Sequence, residues 1–373
     1  MASAPSGAAP AARLDQLTAL RFFAARAVFA SHAWILEERP NRLHALARTL
    51  FHEGYCGVTF FYVLSGFVLA HSYGTRLATR QVSAARYWLL RVARIAPLHW
   101  LVAAPFALAA LRASGLAALP RIGLNLALLH SWIPDSTWYF ALNGPSWSLS
   151  DELFFYTAFL GLAFVGTRAL AIGAGLGLAT VLGVELALVA TGHDGLRAGP
   201  DFTAAHWFAG VSPPVRLLDF VAGMLVARLP RGFAGPARAT LAEAGVAVLL
   251  IGLMVALPVL EVPAILRLQL AYLPVMALAV WTYAAGEGAL SRLLAGSRAL
   301  VLLGDASFAF YLVHQPIINR GLAHWQAADE AIGVVALTAL SLLAAIALSV
   351  LLFVAVERPL QRRLRRLIER RVG

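Results

Sequence analysis

Apolar stretches of about 17–25 residues recur along the whole of this sequence, and each is long enough to cross a hydrocarbon core about 30 Å thick. In lipid every backbone polar group must be satisfied within the protein, and a chain built of such stretches meets that demand as helices. Composition points the same way: 60% of the 373 residues are hydrophobic and 13% charged, with a mean hydropathy of +0.74, outside the range of water-soluble domains. The expected fold is therefore all-α, a polytopic transmembrane helical bundle. The pattern predicts about ten spans: Leu17–Leu36, Val58–Tyr73, Ile95–Leu111, Leu149–Val165, Ala169–Thr191, Val215–Leu229, Leu241–Pro258, Ile265–Ala285, Leu300–Leu322 and Ala331–Val356.

A further apolar run, Ile122–Ile133, is short for a crossing and reads as a re-entrant or interfacial piece. Parity decides its role. The loop Gly74–Arg94 carries Arg76, Arg80, Arg86, Arg91 and Arg94, and the tail beyond Glu357 carries Arg358, Arg362, Arg363, Arg365, Arg366, Arg370 and Arg371. Arginine-rich flanks face the cytoplasm, so an even number of crossings separates the two. That condition holds only if Ile122–Ile133 does not cross, and it places both termini in the cytoplasm. Met1–Pro10 is small and Ala/Pro-rich, without the basic start and cleavage pattern of a removable signal, so the first helix is expected to be retained. The external segments are then Glu37–Gly57, Pro134–Ser148 and Gly192–Pro214, with short turns near Val262 and Ala328. Gly192–Pro214, with His193, Asp194, Asp201, His206 and Trp207, reads either as an acceptor-facing lid or as a solvated loop.

All 30 basic residues are arginine and the formal net charge is +11, but the arginines flank apolar segments, which fits membrane orientation and not nucleic acid. The single cysteine, Cys56, excludes an internal disulfide and a cysteine-based metal cluster. The sequence contains no phosphate-binding P-loop, no dinucleotide glycine fingerprint and no zinc-spaced His/Cys set, which argues against nucleotide hydrolysis and metal catalysis.

Ionisable side chains at membrane depth cost about 2.5–3.5 kcal/mol each on insertion scales, so they mark either a partner or a function. The first helix carries Arg21, Arg26 and His32. Arg21 and His32 are eleven residues apart, which puts them on one face and about 16 Å apart along the axis. Arg26 lies off that face and has no evident partner. Asn143-Gly-Pro-Ser-Trp-Ser-Leu-Ser-Asp-Glu152 opens another span with Trp147, Ser148, Ser150, Asp151 and Glu152. Read with His32 on the same leaflet, Asp151 or Glu152 would orient the imidazole and strengthen it as a base. The alternative is a helix cap from Ser148 or Ser150, with the acids complementing the helix dipole. Arg91 and Arg94, three apart on one face, suit a phosphate or pyrophosphate or serve only to orient the chain.

These pieces, taken in order, resemble a known family. Arg21…His32, Gly57-Val-Thr-Phe-Phe-Tyr-Val-Leu-Ser-Gly-Phe67, Arg91-Val-Ala-Arg-Ile-Ala-Pro97, Pro145-Ser-Trp-Ser-Leu-Ser-Asp-Glu152, Phe220-Val-Ala-Gly-Met224, Leu303-Gly-Asp-Ala-Ser-Phe-Ala-Phe-Tyr-Leu-Val-His314 and Glu357-Arg-Pro359 are similar to the acyltransferase family 3 of bacterial membrane O-acyltransferases. The likeness implies a membrane acyltransferase domain over residues 14–360, between a disordered cytoplasmic N-terminus (1–13) and a basic cytoplasmic tail (361–373). It implies transfer of an acyl group, usually acetyl, from cytoplasmic acyl-CoA to a hydroxyl of an extracytoplasmic saccharide, lipid-linked sugar or glycosylated small molecule, in the bacterial cytoplasmic membrane. No tightly bound cofactor and no metal are expected.

By the same resemblance His32 is the essential histidine and Arg21 its paired arginine. Arg91 and Arg94 form the donor-associated basic motif and Glu152 the acid of the Trp-Ser-Leu segment, with Asp151 beside it; Trp147, Ser148 and His314 are the candidate acceptor contacts. Two departures stand out: Thr59 occupies a position where many members have Asp, and Arg26 stands where an apolar residue is expected. His32 would act as general base on the acceptor hydroxyl or carry the acyl group transiently. Two rival readings remain: a glycolipid or polysaccharide transporter or flippase, whose pathway polar residues would also mark, and a catalytically silent member that acts as a binding partner.

Overall fold

The computed structural model describes residues 14–199, 201–327 and 333–372. The expected disordered stretch 1–13 and the turn near Ala328 lie outside these, as does the start of the last predicted span.

The principal helices are α1 (Asp15–His32), α2 (Gly57–Ala78), α3 (Ala84–Ser114), α4 (Trp147–Leu162), α5 (Thr167–Ala190), α6 (Pro213–Arg228), α7 (Pro236–Val259), α8 (Leu273–Ala285), α9 (Ala289–Gly296), α10 (Arg298–Asp305), α11 (Ser307–Ala327), α12 (Val334–Leu352) and α13 (Arg358–Val372). The one β-element among the described residues is a small hairpin, β1 (Arg197–Ala198) with β2 (Asp201–Phe202), in which Arg197 pairs with Phe202 and Ala198 with Asp201.

Among the described residues six helices are long and apolar enough to cross a membrane, and up to eight if two bent pairs each make one span. In the first pair α8 meets α9 at 75°, and in the second α10 meets α11 at 67°. Two expected spans fall outside that set for physical reasons. Helix α1 has Asp15, Arg21 and Arg26 within 18 residues, and α4 has only 16 residues. The run Ile122–Ile133 forms no crossing helix. It is divided between an eight-residue helix, Leu119–Leu126, and a tight 3-10 turn, His130–Trp132, and eight residues rise only about 12 Å.

The centre of the bundle is the pair α2 and α6, which approach backbone to backbone. A Cβ on Gly66 would fall 1.9 Å from the carbonyl oxygen of Phe220, and one on Gly223 would fall 1.9 Å from that of Val63. Without a water-driven force between helices in lipid, such small-residue seams let dispersion hold the helices together. Around this seam one apolar cluster, including Tyr62, Phe155, Phe159 and Phe220, joins α2, α4 and α6. A second, including Phe67, Tyr272, Met276 and Tyr283, joins α2 to α8.

The segment Gly192–Pro214 folds over its neighbours instead of standing free in solvent. The Trp207 indole donates to the Ser131 carbonyl (2.7 Å) and His206 Nδ1 pairs with the Tyr139 hydroxyl (3.2 Å). It thus covers the short helices that lead into α4.

Candidate active site

The lead-in to α4 determines the depth of the site. Asn125, His130, Ser131, Asn143 and Ser146 are all buried and hydrogen-bonded. Asn125 donates to the Ala141 carbonyl (2.9 Å) and the Ser146 hydroxyl (3.1 Å), and His130 meets the same hydroxyl at 3.2 Å. The Asn143 amide donates to the Leu312 carbonyl of α11 (2.9 Å). Because this polar segment is folded inside the protein, α4 starts within the bundle, against α11. Neither Ser148 nor Ser150 caps it: Ser148 donates back to the Pro145 carbonyl (3.0 Å), Ser150 accepts from Ser131 (2.7 Å), and no side chain closes the helix N-terminus.

That depth separates two groups which the sequence placed together. Glu152 accepts a hydrogen bond from Tyr156 (3.0 Å) and Asp151 one from Tyr62 (2.8 Å). Glu152 lines a cavity of about 180 Å³ whose wall also includes Arg21, Arg91, Arg94, Tyr62, Ser148 and Tyr311. The carboxylate expected beside His32 instead lines the cavity of Arg21, with three guanidinium groups around it, and His32 is not among that cavity's lining residues.

The partner of His32 is another histidine. Nδ1 of His32 lies 2.8 Å from the Val28 carbonyl and 3.4 Å from Nε2 of His314, with the two rings at 74° and their centroids 4.9 Å apart. Nδ1 of His314 faces the Tyr311 carbonyl at 2.6 Å. A carbonyl can only accept, so each Nδ1 carries a proton. The Nε2 of His314 then accepts from His32, and the Nε2 of His32 keeps its lone pair free. His314 is fully buried, and Phe310 stacks on it at an interplanar angle of 8°. Tyr311 both lines the cavity and contacts the His314 ring, with centroids 5.6 Å apart. The arginine cavity therefore ends one side chain from the histidine pair.

The other predicted residues divide. Arg94 is held by Glu357 (2.7 Å) and Gln361 (3.1 Å) and rests over Phe308 (5.6 Å). A π-helical turn, Phe353–Glu357, joins α12 to α13 and carries that buried glutamate inward. Arg91 donates to the Tyr73 hydroxyl (3.2 Å) and packs over its ring (5.1 Å). Ser148 lines the cavity, whereas Trp147 packs half-buried against the central apolar cluster. Arg26 is exposed on α1. No group of three or more His, Cys, Asp or Glu side chains that could hold a metal ion occurs among the described residues.

A buried ionic network escaped the sequence reading. Arg216 pairs with Asp219 (3.0 Å), donates to the Thr59 hydroxyl (3.0 Å) and lies over the Tyr62 ring (5.1 Å), while Gln269 donates to Asp219 (2.9 Å). Elsewhere the carboxylate of Glu53, also fully buried, pairs with Arg267 and accepts from Tyr272 (2.6 Å) and Tyr55 (2.8 Å). The available signal was an ionisable pair spaced i, i+3 within an apolar segment.

The sequence matches the acyltransferase domain family over residues 14–354. This chain belongs to acyltransferase family 3. It is 32% identical over 357 residues to the acyltransferase MdmB of Streptomyces mycarofaciens, covering 89% of this chain and 88% of that one. It is 28% identical over 336 residues to the exopolysaccharide production protein ExoZ of Rhizobium meliloti (strain 1021), covering 86% of this chain and 94% of that one. No solved structure matches it. The protein is thus a multi-pass membrane acyltransferase.

Proposed function

We propose that this acyltransferase moves an acyl group, acetyl in the simplest case, from cytoplasmic acyl-CoA to a hydroxyl of an extracytoplasmic saccharide or glycosylated molecule. The observation that carries the reading is the closeness of the arginine cavity to the histidine pair: Tyr311 lines the cavity and touches the His314 ring. An anionic donor held at Arg91 and Arg94 would extend its thioester past Arg21, Glu152 and Ser148 toward His32. There the free Nε2 of His32 takes the proton of the acceptor hydroxyl as its oxygen attacks the thioester carbonyl, and the imidazolium then protonates the departing CoA thiolate. In the relay Nε2 itself attacks, expels the thiolate and passes the acyl group to the hydroxyl, whose proton ends on the thiol. In both, Nδ1–H remains on Val28 and His314. His314 is then a positioning residue that fixes the His32 tautomer and steadies the imidazolium as it forms. A relative named for exopolysaccharide production supports a saccharide acceptor.

The same reading sets the orientation. If α1 and α4 cross together with the six apolar helices and the two bent pairs, the spans number ten, and both termini and the arginine end of the cavity face the cytoplasm of a bacterial inner membrane. The test compares surface glycans and secreted glycosides of cells with and without the gene, before and after mild alkali. An alkali-labile acyl ester that requires the gene and vanishes in His32→Ala is the expected result. Movement of unmodified glycan without an ester overturns it. Incubating the protein with donor alone, followed by mass spectrometry, separates an acyl-His32 relay from direct attack.

A further inference from the structure

Beyond the cavity that leads to the histidines lies a second one, also of about 180 Å³, between the N-terminal half of α3 and α13. Arg76, Arg86, Arg91, Arg94 and Arg365 line it, with Glu369 as the one carboxylate. Arg91 and Arg94 belong to both cavities, so the two are neighbouring chambers with a shared pair of arginines between them.

Orientation of the chain explains basic residues near a membrane surface but does not require five guanidinium groups to converge on one concavity, where they repel one another. Arg94 is already paired with Glu357 at 2.7 Å, but the compensation of the other four is thin. Glu369 alone bridges Arg365 (2.9 Å) and Arg86 (3.4 Å), reaching from the exposed tail helix. Arg76 is set over the Tyr73 ring at 5.5 Å, and the buried Nε of Arg91 has no hydrogen-bond partner among the described residues. One carboxylate shared between two planar forks occupies the place of a phosphate, whose additional oxygens could serve the remaining arginines as well.

We propose that this outer chamber binds the phosphate groups at the nucleotide end of the donor, with Glu369 as an intramolecular stand-in that the ligand displaces. The tail helix α13 is then one wall of the donor site and not only a topological signal. The inference rests on the acyl-CoA reading above, and assigns Arg86 and Arg365 a part that Arg91 and Arg94 do not exhaust.

The test uses the full-length protein in nanodiscs of zwitterionic lipid, with acetyl-CoA and with S-acetyl-pantetheine, which lacks the nucleotide. The variant carrying Arg86→Ala and Arg365→Ala should raise KM for acetyl-CoA by about tenfold or more, with kcat and the kinetics of the pantetheine donor preserved. Glu369→Gln should lower KM for acetyl-CoA, because the competing carboxylate charge is gone. Arg363→Ala, on the same helix but outside the chamber, should leave both donors unchanged.

Direct binding of adenosine 3′,5′-bisphosphate is measured in parallel and should weaken by about tenfold in the double variant. Equal effects on both donors, or none on either, overturn the proposal. If the wild-type protein accepts no acyl-CoA, the functional reading fails, and the binding measurement still decides whether the chamber takes a nucleotide phosphate. No binding of the bisphosphate in zwitterionic nanodiscs, coupled with Arg365-dependent retention of anionic lipid, would assign the chamber to a lipid headgroup and overturn the nucleotide assignment.

Discussion

The arginine chambers and the histidine pair lie on either side of Tyr311, at the two ends of the proposed acyl path, and they are built on different principles. The chambers are open and overcharged. The inner one alone brings Arg21, Arg91 and Arg94 around Glu152, and in the outer one Arg86 and Arg365 share the single carboxylate of Glu369 on the tail helix. The pair is closed: His314 is fully buried, stacked by Phe310 and fixed through the Tyr311 carbonyl, and His32 is fixed through Val28. Loose, excess positive charge suits an anionic ligand that must enter and leave, whereas a locked tautomer suits a proton transfer repeated at one atom. Under the proposed function binding and chemistry belong to separate ends, and each end can be damaged alone.

The sharpest break is at His32. His32→Ala should reduce acyl transfer by about 10³-fold through loss of the base or nucleophile, while affinity for the donor, measured by direct binding, stays at its wild-type value. Full transfer by a folded His32→Ala protein would remove the chemical end from the scheme altogether. His314→Phe keeps a buried ring but deletes one of the two acceptors of the His32 Nδ1 proton, leaving the Val28 carbonyl. Transfer should fall by about 10²-fold in kcat with KM for the donor unchanged, and His314→Gln, whose amide oxygen can accept, should recover part of that loss. A rise in donor KM with unchanged kcat would instead make His314 a ligand contact.

At the other end, Arg91→Ala should raise KM for the donor about tenfold, or about 1.4 kcal/mol, with kcat preserved. A fall in kcat with unchanged KM would mean that the arginine cavity takes part in the chemical step and that the two ends are not separate.

How far the two ends were readable from the chain follows the same division. His32 and Arg21 were visible because lipid penalises a charge on an apolar helix, and Arg91 and Arg94 because three-residue spacing puts two guanidinium groups on one face. The position of Asp151 and Glu152 was not visible. It depends on the depth at which α4 begins, and that depth is set by Asn125 and His130 bonding to Ser146, 21 and 16 positions away, and by Asn143 bonding to the Leu312 carbonyl of α11. No periodicity records such a fold. The partnership of His32 with His314 was hidden for a related reason: 282 positions separate them, and only the packing of α1 against α11 brings the rings together. The outline of the bundle was legible span by span, whereas its most charged and shortest members, α1 and α4, are those where composition alone separates least well from a buried helix. The Arg216–Asp219 pair shows the limit from the other side. Its spacing was plain in the sequence, but its place beside Thr59 and Tyr62 required the α2–α6 seam, which is built on glycine carbonyl contacts.

That seam supplies the mildest test. The Thr59 hydroxyl accepts from Arg216 at 3.0 Å. Arg216 keeps Asp219 (3.0 Å) and the Leu268 carbonyl (3.2 Å) in its absence, so the charge is already paired without Thr59. Thr59→Val preserves shape and removes one acceptor from a buried guanidinium, which should cost about 1 kcal/mol of stability and be seen as a small fall in the unfolding temperature in detergent. Tyr62, one turn along α2, both lines the inner cavity and donates to Asp151, and its ring lies under the same guanidinium. If the network only holds α2 against α6, acyl transfer by Thr59→Val should stay within about twofold of wild type. A tenfold loss with unchanged stability would instead show that Arg216 positions Tyr62 for the acyl path, and would extend the chemical end of the molecule down from the histidine pair into the cavity itself.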